Sequence, residues 1–299
     1  MFLGKQGLRS SVTQEVRRNF GANEKIILMR LKSVKNIQKI TKAMKLIAAT
    51  KMRGDLNRLE QGKDFGHNSV DMMFKCDTFM QRKTPPASGN SELIVPITSD
   101  KGLCGGINSG VVRDIKAYVA GKDRSELEIF SIGDKGSGAL QRPFPDIFST
   151  SISNMAYPIN YVNVMAAAES IAAKGANHDK IVIVYNFFKS AISYEIKKIE
   201  LLPRNRFHEV MKFQKLYNQT RPDKSTSNPA IYELYLSSNL FNALLQNAAS
   251  EQSARMSAME NASKNAGELI DKLTLEYNKA RQARITMELV EIISGASAL

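Results

Sequence analysis

The sequence predicts an α/β fold class in which the two chain ends form a long coiled coil and a Rossmann-like α/β domain is inserted between them. Three observations carry this. Both ends hold long stretches without proline whose apolar residues recur at heptad-like spacing. The middle changes to short β-branched runs separated by helix-like stretches. Segments rich in Pro, Ser and Asn, TPPASGN (84–90) and RPDKSTSNP (221–229), mark the joints.

Residues 1–22 read as a separate segment. Lys5, Arg9, Arg17 and Arg18 stand against one acid, Glu15, and Leu8, Val12, Val16 and Phe20 fall on one helical face. This is the amphipathic, basic pattern of a mitochondrial targeting segment, and a basic helix that stays on the protein would share it. Residues 23–83 then form the N-terminal coiled-coil region. Ile27, Leu31, Val34, Ile37, Ile40, Met44 and Ile47 set the expected seam, and Lys25 to Arg53 contains nine Lys or Arg and no acid. So long a cationic run calls for an acidic neighbour or full solvation.

The α/β domain is expected over 84–203. Strands are predicted at 92–100, 127–134 and 180–188, with helices around 105–120 and 162–174. The alternating YEIKKIELL (194–202) reads as an antiparallel edge strand. After the first strand comes TSDKGLCGGINS (98–109), a glycine turn with Cys104 at its centre. It has neither GxxxxGK[ST] nor GxGxxG, so it is neither a phosphate loop nor a dinucleotide fingerprint. As a nucleophile, Cys104 would need a base and an orienting group, which nothing local supplies. IGDKGSG (132–138) repeats the design without a cysteine, and two such turns point to fold geometry.

A polar connecting loop is expected over 204–229 and the second long helix over 230–299. From Ile231 to Ser294 there is no proline and one glycine, Gly267. At about 1.5 Å of rise per residue this stretch reaches roughly 90 Å. Ala254, Ala258, Ala262 and Ala266 form a small-residue ridge on which another helix is expected to approach closely, and Ala266, Ile270, Leu273, Tyr277, Ala280, Ala283, Met287 and Val290 continue as a seam. Two terminal seams of matching period most simply pair with each other.

Bulk properties narrow the function. The chain has 299 residues, a formal charge of +13 and 43% hydrophobic residues. No window is apolar enough to span a membrane as a helix. Two cysteines, Cys76 and Cys104, give no disulfide framework, and three scattered histidines (His67, His178, His208) give little for a metal. The charge implies acidic partners. Nucleic acid is one class, but the basic helix lacks interleaved aromatics and a recognisable binding motif. An enzyme on the α/β unit is another, resting on Cys104.

LKSVKNIQKITKAMKLIAATKMR (31–53), TSDKGLCGGINS (98–109) and the block from Glu251 to Leu299 resemble the gamma subunit of the F-type ATP synthase, in its mitochondrial form. The likeness runs over residues 24–299. It implies a non-catalytic rotor shaft, with terminal helices in an antiparallel coiled coil inside a ring of three alpha and three beta subunits. The α/β domain would sit with the small central-stalk subunits (delta and epsilon) and the membrane c-ring, at the matrix face of the inner mitochondrial membrane. It implies no cofactor, no nucleic acid and no membrane span of its own. Contacts to the ring would fall at Met44, flanked by Lys42 and Lys45, and at Glu251 and Arg255. Further contacts would fall at Arg281, Gln282, Thr286 and Glu288. Arg284 departs from the small or apolar residue more usual in the family.

Overall fold

The computed structural model describes residues 4–63, 65, 91–211 and 224–297, with side chains described in 24–63, 65, 91–207 and 229–297. The chain divides into two compact units, residues 1–45 with 259–299, and residues 46–258. Two helices contribute to both, α1 (Gly4–Lys63) and α6 (Lys224–Ala296). No helix among the described residues is long and apolar enough to cross a membrane.

In the unit of residues 46–258, β1 (Glu92–Pro96), α2 (Ile107–Ala120), β2 (Leu127–Ile132), α3 (Asp134–Gln141) and β3 (Phe148–Ile152) follow in order. After them come α4 (Tyr161–Gly175), β4 (Lys180–Phe188), β5 (Tyr194–Leu201) and α5 (Arg204–Met211). The five strands order as β3-β2-β1-β4-β5. β1 pairs in parallel with β2 and β4, β2 in parallel with β3, and β5 runs antiparallel to β4. Alternation along the strands divides the core. Leu93, Val95, Ile181 and Ile183 join Val164 and Ile171 of α4 and Leu236 and Leu240 of α6 on one face. Ile94, Val182 and Val184 join Val111 and Ile115 of α2 and Leu140 of α3 on the other.

Near-continuous apolar composition suits a strand covered on both faces, so β1, β2 and β4 announce themselves. β3 and α3 do not. FSTSI alternates exposed and half-buried positions at the sheet edge, and DKGSGALQ carries two glycines that argue against a helix. The expected connecting loop over 204–229 is in part helical, since α5 covers 204–211 and α6 begins at Lys224. α6 therefore takes Pro229 inside, where the missing N–H forfeits one hydrogen bond close to the helix start. α1 is described from Gly4 to Lys63, and the rest of the helix expected to run to residue 83 lies outside the described residues, apart from Phe65.

In the other unit α1 and α6 run antiparallel. Lys45 Nζ meets Glu260 Oε1 at 2.7 Å, Gln38 Nε2 donates to the Ser263 carbonyl at 3.5 Å, and Arg284 Nε meets Glu24 Oε2 at 3.1 Å. Numbers rise along one helix as they fall along the other. The helices approach closely at Gly267, where a Cβ would lie 3.2 Å from Gln38 Nε2.

The expected α1 seam holds through Ile27, Leu31 and Val34, then slips by one residue. Gln38, Thr41, Lys45 and Ala48 are buried or half-buried, while Ile37, Ile40 and Ile47 are 51–57% exposed. Steps of 3, 3 and 3 rotate around a helix, whereas the true seam keeps the alternating 3 and 4 that a coiled coil needs. The α6 seam is found as expected from Ala266 to Ala283, and beyond it Met287 and Val290 face outward.

Candidate functional site

The glycine turn lies at the carboxyl end of β1, between β1 and β4, where the strand order reverses. Open α/β sheets hold ligands in the crevice at such a point. Here the chain's own α6 packs against the turn. Cys104 and Ile107 pack with Ala254, and a Cβ on Gly105 would sit 3.7 Å from Ala258 Cβ. Ser250 Oγ donates to the Asn186 carbonyl at 3.1 Å, and Ser253 Oγ to the Ala191 carbonyl at 2.7 Å. Where the alanine ridge is expected to receive another helix, Ala254 and Ala258 instead receive the glycine turn, because Gly105 without a side chain fits against them, and only Ala266 serves the helix pair.

The turn is held by its own polar groups. Asn108 accepts from the Ser99 amide at 3.1 Å and donates to Ser99 Oγ at 2.7 Å and to Cys104 Sγ at 3.2 Å. Thr98 Oγ1 donates to the Ile132 carbonyl and accepts from the Gly136 amide, both at 3.0 Å. Asp100 accepts from the Asp134 amide at 3.1 Å, which ties the two glycine turns together. Gly105 takes φ +63°, and Gly133 takes φ +100° with a Cβ position only 2.2 Å from the Thr98 carbonyl oxygen. Cys104 is buried at 2% exposure. His178 sits at the opposite end of the strands, between Ser91 Oγ (2.7 Å) and Glu128 Oε2 (2.9 Å).

Glu251 and Arg255 meet here. Arg255 Nη2 contacts Glu251 Oε1 at 2.6 Å and reaches the carbonyls of Lys101 and Gly102 at 3.4 and 3.3 Å, while Nη1 donates to Gln252 Oε1 at 2.9 Å. The Arg255 and Glu251 side chains are only 12% and 17% exposed, respectively. Burial pushes the Glu251 carboxyl above the usual carboxylate range, Arg255 pulls it back, and Asp100 and Asp55 add to the rise. On α1, Asp55 is buried beneath Arg58 Nη1 (2.8 Å) and the Tyr157 hydroxyl (3.1 Å), and burial raises its pKa as well.

The turn residues Gly102, Cys104, Gly105 and Asn108 also line a groove of about 570 Å³ that the sequence motifs do not mark. Arg113, Lys116 and Lys135 line it together with Leu103 and Ser109, with no acid among the described lining residues, although Lys135 lies 3.4 Å from Asp134. Arg113 and Lys116 are three apart on the face of α2 away from buried Val111 and Ile115, so the helical period holds the signal. Leu103 at the tip is 64% exposed with φ +61°, an unfavourable conformation for a bulky residue of the kind that gathers at functional sites.

In the helix-pair unit Lys42, Arg281, Gln282 and Thr286 are exposed, and Met44 is half-buried. Lys45 is tied to Glu260. Thr286 Oγ1 donates to the Gln282 carbonyl at 3.0 Å, and Glu288 lies 3.9 Å from Arg284. The unusual Arg284 is accounted for by its ion pair with Glu24. Ile26, Met29, Ile37, Ile40 and Ile47 on α1, and Leu289, Val290, Ile292 and Ile293 on α6, remain exposed.

These features define a class: a chain whose two long terminal helices pair antiparallel and which holds an inserted α/β domain whose glycine turn packs against its own helix. The family model described as ATP synthase matches residues 23–299. The mitochondrial ATP synthase gamma subunit of Drosophila melanogaster is 38% identical over 93% of this chain and 91% of its own length. The ATP synthase F(1) complex gamma subunit of Rattus norvegicus is 38% identical over 93% of this chain and all of its own. A chain in the central stalk and c-ring structure of Tetrahymena thermophila mitochondrial ATP synthase is 43% identical, with a TM-score of 0.70 over 75% of this chain and 99% of that one. A chain of the Euglena gracilis mitochondrial ATP synthase, at 22% identity, shares the fold, with a TM-score of 0.78 over 93% of this chain and 95% of that one. The chain belongs to the ATP synthase family, among its gamma subunits.

Proposed function

We propose that this chain is the central-stalk rotor of a mitochondrial F-type ATP synthase, carrying rotation from the c-ring to the catalytic ring of alpha and beta subunits. It would work at the matrix face of the inner membrane with the small central-stalk subunits, and would itself break no bond. The antiparallel packing of 24–45 against 259–284 carries this reading. Interlocked seams resist twisting better than one helix, and torsional stiffness is what a shaft requires. The packing of Ala254, Arg255 and Ala258 onto the glycine turn supports a structural role for that turn and so a non-catalytic reading.

The contact set is proposed in two parts. Lys42, Met44, Lys45, Arg281, Gln282, Thr286 and Glu288 would meet the ring directly. Glu251 and Arg255 would act through the glycine turn, because their charged ends are engaged with each other and with its carbonyls. The cationic groove of Arg113, Lys116 and Lys135 suits an acidic ring segment. A targeting role for residues 1–22 belongs to the same proposal.

Mild-detergent extraction followed by capture of the tagged full chain should recover alpha and beta subunits in complex. Recovery without them would overturn the rotor reading. In assembled complex, Met44→Lys should lower proton-driven ATP synthesis more than subunit content, by setting a third cation beside Lys42 and Lys45 against acidic partners. Unchanged synthesis would remove that contact from the set.

A further inference from the structure

β4 outruns its neighbour. β1 ends at Pro96, which pairs with Val184, whereas β4 continues to Phe188. The Ile97 amide donates to the Val184 carbonyl, and past that bond β4 keeps β5 on one edge with no strand on the other among the described residues. Backbone groups left open at a buried edge need partners, and α6 supplies them with side chains. Ser250 Oγ donates to the Asn186 carbonyl at 3.1 Å, and Gln246 Oε1 accepts from the Phe188 amide at 3.1 Å. Asn186 Nδ2 donates to Asn247 Oδ1 at 2.8 Å, and Ser253 Oγ donates to the Ala191 carbonyl at 2.7 Å.

These ties differ in kind from the rest of the α6 contact. Leu236, Leu240 and Leu244 join the apolar core, and apolar contact is non-directional, so by itself it sets little resistance to turning. The polar ties are directional. Gln246, Ser250 and Ser253 fall at i, i+4 and i+7, on one face of α6. A shift of one residue turns a helix by about 100°, which would carry all three off the strand edge. Water could not replace them, because Asn186 and Ser250 are fully buried and Ser253 and Asn247 are 2% and 5% exposed. Asn186 also leaves its Oδ1 without a hydrogen-bond partner. An apolar pair would spare the chain that unpaired atom, so the asparagines serve register rather than strength.

We infer that Asn186, Asn247, Ser250 and Ser253 form a register lock, a set of positioning residues through which the α/β domain turns α6 without slip. The inference rests on the rotor reading, in which rotation gathered by the domain has to reach the helix that carries Arg281, Gln282, Thr286 and Glu288. α6 is one helix from Lys224 to Ala296, so a turn lost at the lock is lost along its length.

The test uses the assembled complex in sealed vesicles and reads ATP made per proton moved. Asn186→Leu with Asn247→Leu removes both partners of the buried pair. The purified full chain should keep its urea midpoint or gain on it, since replacing both partners by apolar groups of similar shape costs little. The ratio should nevertheless fall by about twofold or more. Ser250→Ala with Ser253→Ala, the smaller change, should lower it in the same direction and carries the test if the leucine variant does not fold. Leu236→Ala is the control. It should lower the urea midpoint, as a core cavity does, and leave the ratio at the wild-type value. A wild-type ratio in the folded asparagine variant, or in the serine variant standing in for it, overturns the lock. So does a ratio in Leu236→Ala that falls as far, because lost stability would then account for the effect. Capture of the wild-type chain without alpha and beta subunits overturns the rotor reading itself, and that result comes before any variant is compared.

Discussion

Gly133 is a position that admits no side chain. Its φ of +100° disfavours any Cβ, and a Cβ there would be 2.2 Å from the Thr98 carbonyl oxygen, a backbone atom that cannot step aside. Gly133→Ala should cost about 2–4 kcal/mol in urea denaturation of the full chain. Gly106→Ala should cost within ~0.5 kcal/mol, because a Cβ there meets nothing within 4 Å. The contrast reverses the impression given by the sequence, in which CGG draws the eye and IGDKGSG looks like its plainer copy. The partner of Gly133, Thr98, lies 35 residues away, and pattern cannot reveal such an approach. Glu251 teaches the same lesson. Family likeness marks it as charged and functional, but only packing shows it buried beside Arg255. Its pKa is raised in the folded chain, so its contribution to stability is full below the unfolded value and is lost as pH rises through the folded one. The stability of the wild type relative to Glu251→Gln, measured by urea denaturation from acid to neutral pH, should therefore fall as pH rises. A difference that grows with pH would mean that Arg255 outweighs burial at this site.

At the scale of elements, strands covered on both faces and the very long helices were legible because composition alone marks them. β3 and α3 were not, since a Ser-rich edge strand and a glycine-bearing helix draw their support from neighbours rather than from their own residues. The α1 seam was half legible. Isoleucines at 37, 40 and 47 outbid Gln38, Thr41 and Ala48 in any reading by hydrophobicity, yet the polar and small residues face α6 while the isoleucines face out. A seam of Gln, Thr and Ala lets the helices come close and fixes register by hydrogen bonds, such as Gln38 to the Ser263 carbonyl. Leu31, 7% exposed in the true seam, should cost about 2–4 kcal/mol when changed to Ala. Ile40, 57% exposed, should cost within ~0.5 kcal/mol in the isolated chain. In assembled complex the order should invert for coupling, with Ile40→Ala lowering the ratio of ATP made to protons moved if the outward stripe meets the ring.

For the molecule as a whole, the excess of 13 positive charges is the property that the fold leaves least compensated. Ion pairs take up Lys45, Arg58, Lys122, Lys135, Lys174, Lys180, Lys189, Lys198, Arg255 and Arg284. Lys32, Lys35, Lys39 and Lys42 are exposed and make no ion pair among the described residues. Charge held this way contributes little to folding and much to encounter, since a cationic surface attracts an acidic one over about a Debye length, ~8 Å at physiological salt. A rotor gains from attraction of this kind, which gathers the partner without locking one orientation. Changing all four lysines to Gln removes four of the 13 excess charges and should leave circular dichroism and urea stability unchanged, because the seam residues are untouched. Association of the full chain with a preassembled ring of alpha and beta subunits, followed by stopped-flow fluorescence, should slow by about tenfold at low salt. The two proteins should converge as potassium chloride is raised, with the variant showing the shallower dependence. Equal rates at low salt would mean that the basic face of α1 does not guide assembly, and would shift that role to the groove of Arg113, Lys116 and Lys135, where the corresponding triple substitution would then carry the salt dependence.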